Sequence, residues 1–196
     1  MVSDHLFQQP DNSTPLTAEE REGLKAFAFT RTQLNSAERA NVLVGGVWAL
    51  RSRKDWWTDE FLCELHVRMF GQVWAWAGDY RTTDKGIGDV PPYRVPMDVR
   101  QVMDDARAWA ERASYEPQEL AIRLHHRLVW IHPFINGNGR CTRMMADIVV
   151  KRMKSAPLTW GGAMLVETGP LRKAYLAALK AADGHDIAPL LAFARS

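Results

Sequence analysis

Between two stretches of apolar residues at helical spacing lies a polar turn, His132-Pro133-Phe134-Ile135-Asn136-Gly137-Asn138-Gly139-Arg140-Cys141-Thr142-Arg143. Leu120, Leu124, Leu128 and Ile131 recur every three or four residues before it, and Cys141, Met144, Met145, Ile148 and Val149 do so after it. That spacing predicts two core helices with the turn fixed between them. A polar loop held in this way by buried elements is a rigid site.

Its residues suggest a chemistry. Gly137 and Gly139 allow left-handed or tightly curved backbone, turning successive N–H groups toward one point where the second helix begins. Arg140 and Arg143 stand three apart in the first turn of that helix, where the macrodipole disfavours positive charge by about 0.3 to 1 kcal/mol each. A phosphate chain would offset them, gripped by the amides and two guanidinium forks; two solvated arginines after a glycine turn are the plain alternative. His132 ends the incoming helix, because Pro133 disfavours helical backbone at the residue before it. Its imidazole is either a proton acceptor beside the anion cradle or a cap on the last carbonyls of its helix. Asn136 either presents a carbonyl oxygen to Mg2+ or caps the next helix.

The run from His132 to Arg143 resembles the signature of the Fic family, HPFx(D/E/N)GNGRxxR, and every fixed position matches. The similarity extends over roughly residues 35 to 195, and the polar N-terminal region resembles the subgroup called mobile mystery protein B. The resemblance implies an all-α Fic-type helical domain with a small β-hairpin flap over the site. It implies a protein adenylyltransferase that uses ATP and Mg2+ to place AMP on a Ser, Thr or Tyr hydroxyl. Another nucleotide or phosphoryl moiety, or nucleotide binding without turnover, remains the alternative. By the same likeness His132 is the base and Asn136 the metal ligand. Gly137, Asn138 and Gly139 line the anion hole, and Arg140 and Arg143 grip the outer phosphates. Asn136 stands where many members carry Asp or Glu, which removes a full charge from the metal site. Many members also restrain themselves through a (S/T)xxxE(G/N) helix. The nearest match here is Glu22-Gly23, with Ala18 at the Ser/Thr position. Others are restrained by a separate antitoxin protein.

The remaining chain is read around this loop. With 196 residues, 46% of them hydrophobic, and eight Trp, the chain suits one globular domain with a sizeable core. It divides into an N-terminal segment, 1–34, with a short inhibitory helix, and a Fic domain, 35–196. A net charge of +2 argues against a dedicated nucleic-acid or membrane surface. Cys63 and Cys141 fall in apolar helical patterns, so a reducing cytoplasm is expected and a disulfide framework is not. No export signal is visible, and residues 1–16 have little to bury and are expected to be loosely ordered.

Thr17 with Glu20 predicts a capped short helix, and Asn35 with Glu38 predicts another running through Leu50. Gly45 and Gly46 inside it suggest close packing against a neighbouring backbone. Thr58 starts the next helix, expected to end near Gly78. From there to Pro96 the helical period disappears and short extended pieces alternate with turns. Residues 80–95 are therefore the expected flap, whose exposed edge would pair with a target protein. Asp98 is expected to cap the following helix and Pro117 to open the one leading into the loop. His66 and His185 read as packing or surface residues. His125 and His126 match no usual zinc spacing. Tyr175 and Asp183 lie, by the resemblance, near the nucleotide base.

Overall fold

The structure, a computed structural model, describes residues 16–25, 31–85, 88–162 and 169–196. Eight helices carry the described residues: α1 (Ala18–Glu22), α2 (Arg31–Arg51), α3 (Asp59–Phe70), α4 (Val95–Glu111), α5 (Pro117–Ile131), α6 (Asn138–Arg152), α7 (Pro170–Asp183) and α8 (Ala188–Arg195). The all-α expectation holds. No helix among the described residues is long and apolar enough to cross a membrane.

The hairpin of α5 and α6 is the centre. Leu120, Leu124, Leu128 and Ile131 of α5 are buried, as are Cys141, Met145, Ile148 and Val149 of α6. The helical spacing of these residues thus marks the faces that meet in the core. α4 packs on α5, while α6 touches α2 and α3, and α8 leans on α5 beside its partner α7. Gly45 meets a neighbouring backbone as its place in a helix implies, whereas Gly46 meets a side chain. A Cβ at Gly45 would lie 2.8 Å from the backbone nitrogen of Met69 in α3, and one at Gly46 would lie 2.6 Å from Met144 Cε in α6. α2 is therefore seated backbone-close against α3.

Several boundaries differ from expectation. The Thr17 cap and its reciprocal Glu20 bond are present, with Glu20 N donating to Thr17 Oγ1 at 3.2 Å and Thr17 N to Glu20 Oε2 at 2.8 Å. The Asn35–Glu38 cap is not: α2 already begins at Arg31, and Glu38 turns into the interior, where Trp74 Nε1 donates to it at 2.7 Å. α3 stops at Phe70 with Gly71 as its cap, well before Gly78. The next residues leave the helix to run beside the N-terminal segment. Lys25 N donates to Val73 O at 2.8 Å and Ala75 N to Gly23 O at 2.7 Å. α4 starts at Val95 after a 3-10 turn at Pro92–Arg94, and Asp98 pairs with Arg94 at 3.0 Å instead of capping. Of residues 1–16, expected to be loosely ordered, 1–15 lie outside the described residues, and Leu16 departs from the expectation because its side chain is buried in the core.

The β-hairpin is absent among the described residues of 80–95. Its place is taken by one isolated antiparallel bridge, Tyr80 to Phe134. The reason is a side chain. Arg81 Nη1 donates to Thr83 O at 2.9 Å, and Nη2 donates to Val90 O. A guanidinium thus joins the two limbs where ladder bonds would have stood.

Two histidines among the described residues, His66 and His125, are fully buried. His66 is stacked on Phe134, with ring centroids 3.8 Å apart. Gly78 N donates to its Nδ1 at 2.9 Å, and its Nε2 donates to Asn136 O at 3.0 Å. Burial pushes its pKa down to about 3. Burial also lowers His125 well below the usual range, helped by the nearby charge of Arg143. Between the unfolded value of about 6.5 and these depressed values the unfolded chain binds more protons, so stability is full above about pH 6.5 and is lost as pH falls. Thermal unfolding from pH 7 to pH 4 should show a falling Tm. The fall should be shallower in a His66→Gln variant, and an identical slope would show that His66 protonates in place.

Candidate active site

The helix α5 ends because His132 takes φ +53° and ψ +62°, the left-handed conformation, with its N–H donating to Leu128 O at 3.1 Å. That backbone costs a non-glycine residue about 1 to 2 kcal/mol and persists only where neighbours enforce it. Arg81 enforces it. Its Nε donates to His132 O at 2.7 Å and its Nη2 to Ile131 O at 3.2 Å, while its own backbone N–H donates to Pro133 O at 2.9 Å. The imidazole, only 8% exposed, is thereby aimed. Burial first, then the charges of Arg81 and Lys85, hold its pKa down at about 4. At neutral pH it is uncharged and able to accept a proton.

Beyond Pro133 the loop is tied from inside. Phe134 is fully buried. Asn138 closes a two-way clasp on it, accepting from Phe134 N at 2.9 Å and donating to Phe134 O at 2.8 Å. The Asn138 side chain is spent on the loop itself, leaving its backbone N–H to the cradle. Gly137 caps α6 at φ +79°, and a Cβ there would lie 2.7 Å from Phe70 Cζ. Glycine is required at this position by backbone and by space together. Gly139 is different from expectation, because it is already helical within α6. A Cβ there would lie 3.5 Å from Arg143 Nη1 and 3.8 Å from Tyr175 Oη, so its small size keeps open the space above those groups. Asn136 Oδ1 accepts from Gly137 N at 2.6 Å, folding the expected metal ligand back over the helix start.

The two arginines meet different company. Arg140 Nη1 donates to Glu38 Oε2 at 2.6 Å, and its guanidinium lies 4.7 Å from the Phe70 ring centroid. The negative group that the cationic helix start requires is thus supplied from α2. Arg143 lies 5.3 Å over the Tyr175 ring and makes no salt bridge among the described residues, its charge acting on the Asp147 carboxyl from a distance. Tyr175, 3% exposed, is in turn 3.0 Å from His125 Nε2 through its hydroxyl. Glu22, the acid expected to restrain Arg143, is exposed at the end of α1. Tyr175 reaches the site, whereas Asp183 pairs with His126 at 2.8 Å, two turns further along α7.

His66, Arg81 and Glu38 are the residues that local reading left out. His66 braces the loop through Asn136 O, Arg81 sets the His132 conformation and Glu38 neutralises Arg140. Each acts on the loop across the fold, and none stands in a pattern of its own. Glu38 did carry a signal, since a glutamate spaced for a cap was visible, but it marked the wrong partner.

A sequence model described as the Fic/DOC family matches residues 56–150. Protein adenylyltransferase Fic of Drosophila grimshawi is 32% identical over 137 residues, which cover 67% of this chain and 26% of that protein. The chain spans about a quarter of the length of the curated relatives it matches. Among solved structures, Fic-1 (residues 134–508, E274G) from C. elegans superposes with a TM-score of 0.63 at 25% identity, covering 84% of this chain and 52% of that one. The BepC protein of Bartonella tribocorum with bound AMPPNP superposes with a TM-score of 0.67 at 16% identity, covering 95% and 93%, and shares the fold. With every fixed position of the loop motif present on that fold, the chain carries a Fic/DOC family domain.

Proposed function

We propose that this site transfers AMP from ATP to a Ser, Thr or Tyr hydroxyl of a target protein. The observation that carries the reading is an uncharged, buried imidazole fixed at the mouth of a helix start bearing a left-handed glycine and two arginines. In the proposed step the hydroxyl oxygen bonds to the α-phosphorus and its proton passes to His132. The bond between the α-phosphorus and the bridging oxygen breaks, and pyrophosphate leaves toward Arg140 and Arg143. Polyphosphate beside His132 would raise its pKa from the depressed value of the free site, moving it toward the range where a base works best. The relatives named protein adenylyltransferase support this reading. So does the AMPPNP bound to a structure of the same fold.

The donor set fits Mg2+ in a limited way. Among the described residues no cluster of three His, Cys, Asp or Glu could hold a metal. Mg2+ at nucleotide sites is held mainly by phosphates and water with one or two protein oxygens, and Asn136 Oδ1 is the one offered here. When bound, the metal would neutralise charge on the phosphates. The protein's share is to hold Asn136 in place, through His66 on its carbonyl and Gly137 on its side chain.

Target docking on residues 80–95, restraint by a separate antitoxin, cytoplasmic residence and membership of the mobile mystery protein B subgroup extend the same proposal. For self-restraint the geometry favours Glu38 over Glu22, since a carboxylate on Arg140 occupies a fork that would otherwise grip phosphate.

Three outcomes are expected. His132→Ala should lower transfer more than about a hundredfold while ATP binding survives, measured by mass spectrometry of lysate proteins and by calorimetry. Near wild-type transfer would return His132 to helix capping, and a different added mass would replace AMP by another moiety. Asn136→Asp should lower the Mg2+ concentration for half-maximal transfer, because a carboxylate binds a hard cation more strongly than a carboxamide does. An unchanged metal dependence removes Asn136 from the metal shell. Glu38→Gln should tighten ATP binding severalfold, because the competing charge on Arg140 is replaced by a weaker neutral hydrogen-bond partner. Unchanged affinity would make Glu38 a packing partner of Trp74 only.

A further inference from the structure

The loop above His132 brings a second buried cation. The Lys85 ammonium pairs with Glu20, and the two side chains are only 7% and 9% exposed. Burying an ion pair costs about as much desolvation as the attraction returns, so stability alone is a weak reason for it. Glu20 is itself fixed from several sides. It closes the cap with Thr17, Thr83 Oγ1 donates to its Oε1 at 3.4 Å, and Trp76 Nε1 donates to its backbone oxygen at 2.9 Å. A Cβ at Gly23 would lie 2.5 Å from Trp76 Cδ1, so α1 lies directly against that indole. Lys85 is therefore delivered to a defined point, four residues after Arg81, near enough for its charge to act on the His132 imidazole.

We propose that Lys85 is a nucleotide-contacting residue, its ammonium placed to bond the phosphate held beside His132, with Glu20 as the carboxylate that the phosphate displaces. This rests on the reading of the site as a nucleotide site. A lysine suits the task because its compact charge sits on a flexible four-carbon stem and can pass from a carboxylate to a phosphate oxygen without movement of the backbone. Arg81 is poorly placed to share it, since four of its five donors are held by backbone carbonyl groups.

The test is calorimetric titration of the full chain with AMPPNP at one salt concentration, for the wild type, Lys85→Met, Lys85→Arg and Glu20→Gln. Glutamine at position 20 keeps the reciprocal cap, so α1 survives while the ion pair is lost. Removing one charge-assisted contact should weaken binding about tenfold or more in Lys85→Met, and Lys85→Arg should restore most of it. Glu20→Gln should tighten binding, because the ammonium is still present and no longer has to leave a carboxylate for the phosphate. In the ligand-free chain, Lys85→Met should also raise the His132 pKa read from its ring-proton titration. Unchanged affinity in Lys85→Met, or equal losses in Lys85→Met and Glu20→Gln, would reduce Lys85 to an anchor for α1 and overturn the proposal. If Lys85→Met fails to fold, Lys85→Gln is judged by the same outcomes. A wild type that binds no AMPPNP would remove the nucleotide reading and Lys85 with it, whereas wild-type binding that Lys85→Met leaves unchanged removes Lys85 alone.

Discussion

One guanidinium holds the site together. Arg81 is 2% exposed and meets backbone carbonyls, those of Thr83, Val90, Ile131 and His132, where a buried cation more often meets a carboxylate. Burying a full charge is expensive, and satisfying its donors with four oxygens offsets that cost only if all four stay in place. The cation therefore makes the conformation of His132, the end of α5 and the two limbs of the neighbouring loop into a single cooperative unit. A neutral side chain could bridge two of these groups but not four.

The charges around that unit are arranged by opposition. Burial, and after it the charges of Arg81 and Lys85, keeps the His132 imidazole uncharged, while Glu20 and Glu38, from α1 and α2, each neutralise one cation of the site. Both acids come from the N-terminal quarter of the chain, and both pair with cations close to the signature loop. The N-terminal helices thus stand in the electrostatic position of a ligand. His66 shows the complementary tactic: it supports Asn136 with a neutral donor, so the loop gains a bond without gaining a charge.

What could be read from the sequence was local. The loop motif, the glycine at 137, the helices on either side and the close approach at Gly45 and Gly46 all follow from residues within a few turns of one another. The parts that escaped notice act across the fold. His66 bonds a carbonyl 70 residues away, Arg81 one 51 residues away, and Glu38 an arginine 102 residues away. Local rules also misled where tertiary bonds competed with them. Glu38 was spaced as a capping residue but is used by Trp74 and Arg140, and residues 80–95 looked like a hairpin although a side chain takes the bonds of the ladder. Gly139 read as a position of left-handed or tightly curved backbone because glycine permits one, whereas the helix uses it for room.

The seating of α2 has a kinetic meaning. With Gly45 pressed against the backbone of α3 and Gly46 against the Met144 side chain of α6, sliding or tilting the helix drives its backbone into that of α3. Glu38 therefore leaves Arg140 by turning its own side chain, not by carrying its helix away. Rotamer changes are orders of magnitude faster than the microsecond-to-millisecond shifts of whole helices. Exchange of carboxylate for phosphate at Arg140 would then be in rapid equilibrium, and the site would respond to nucleotide concentration at once, without a lag or memory of its previous state.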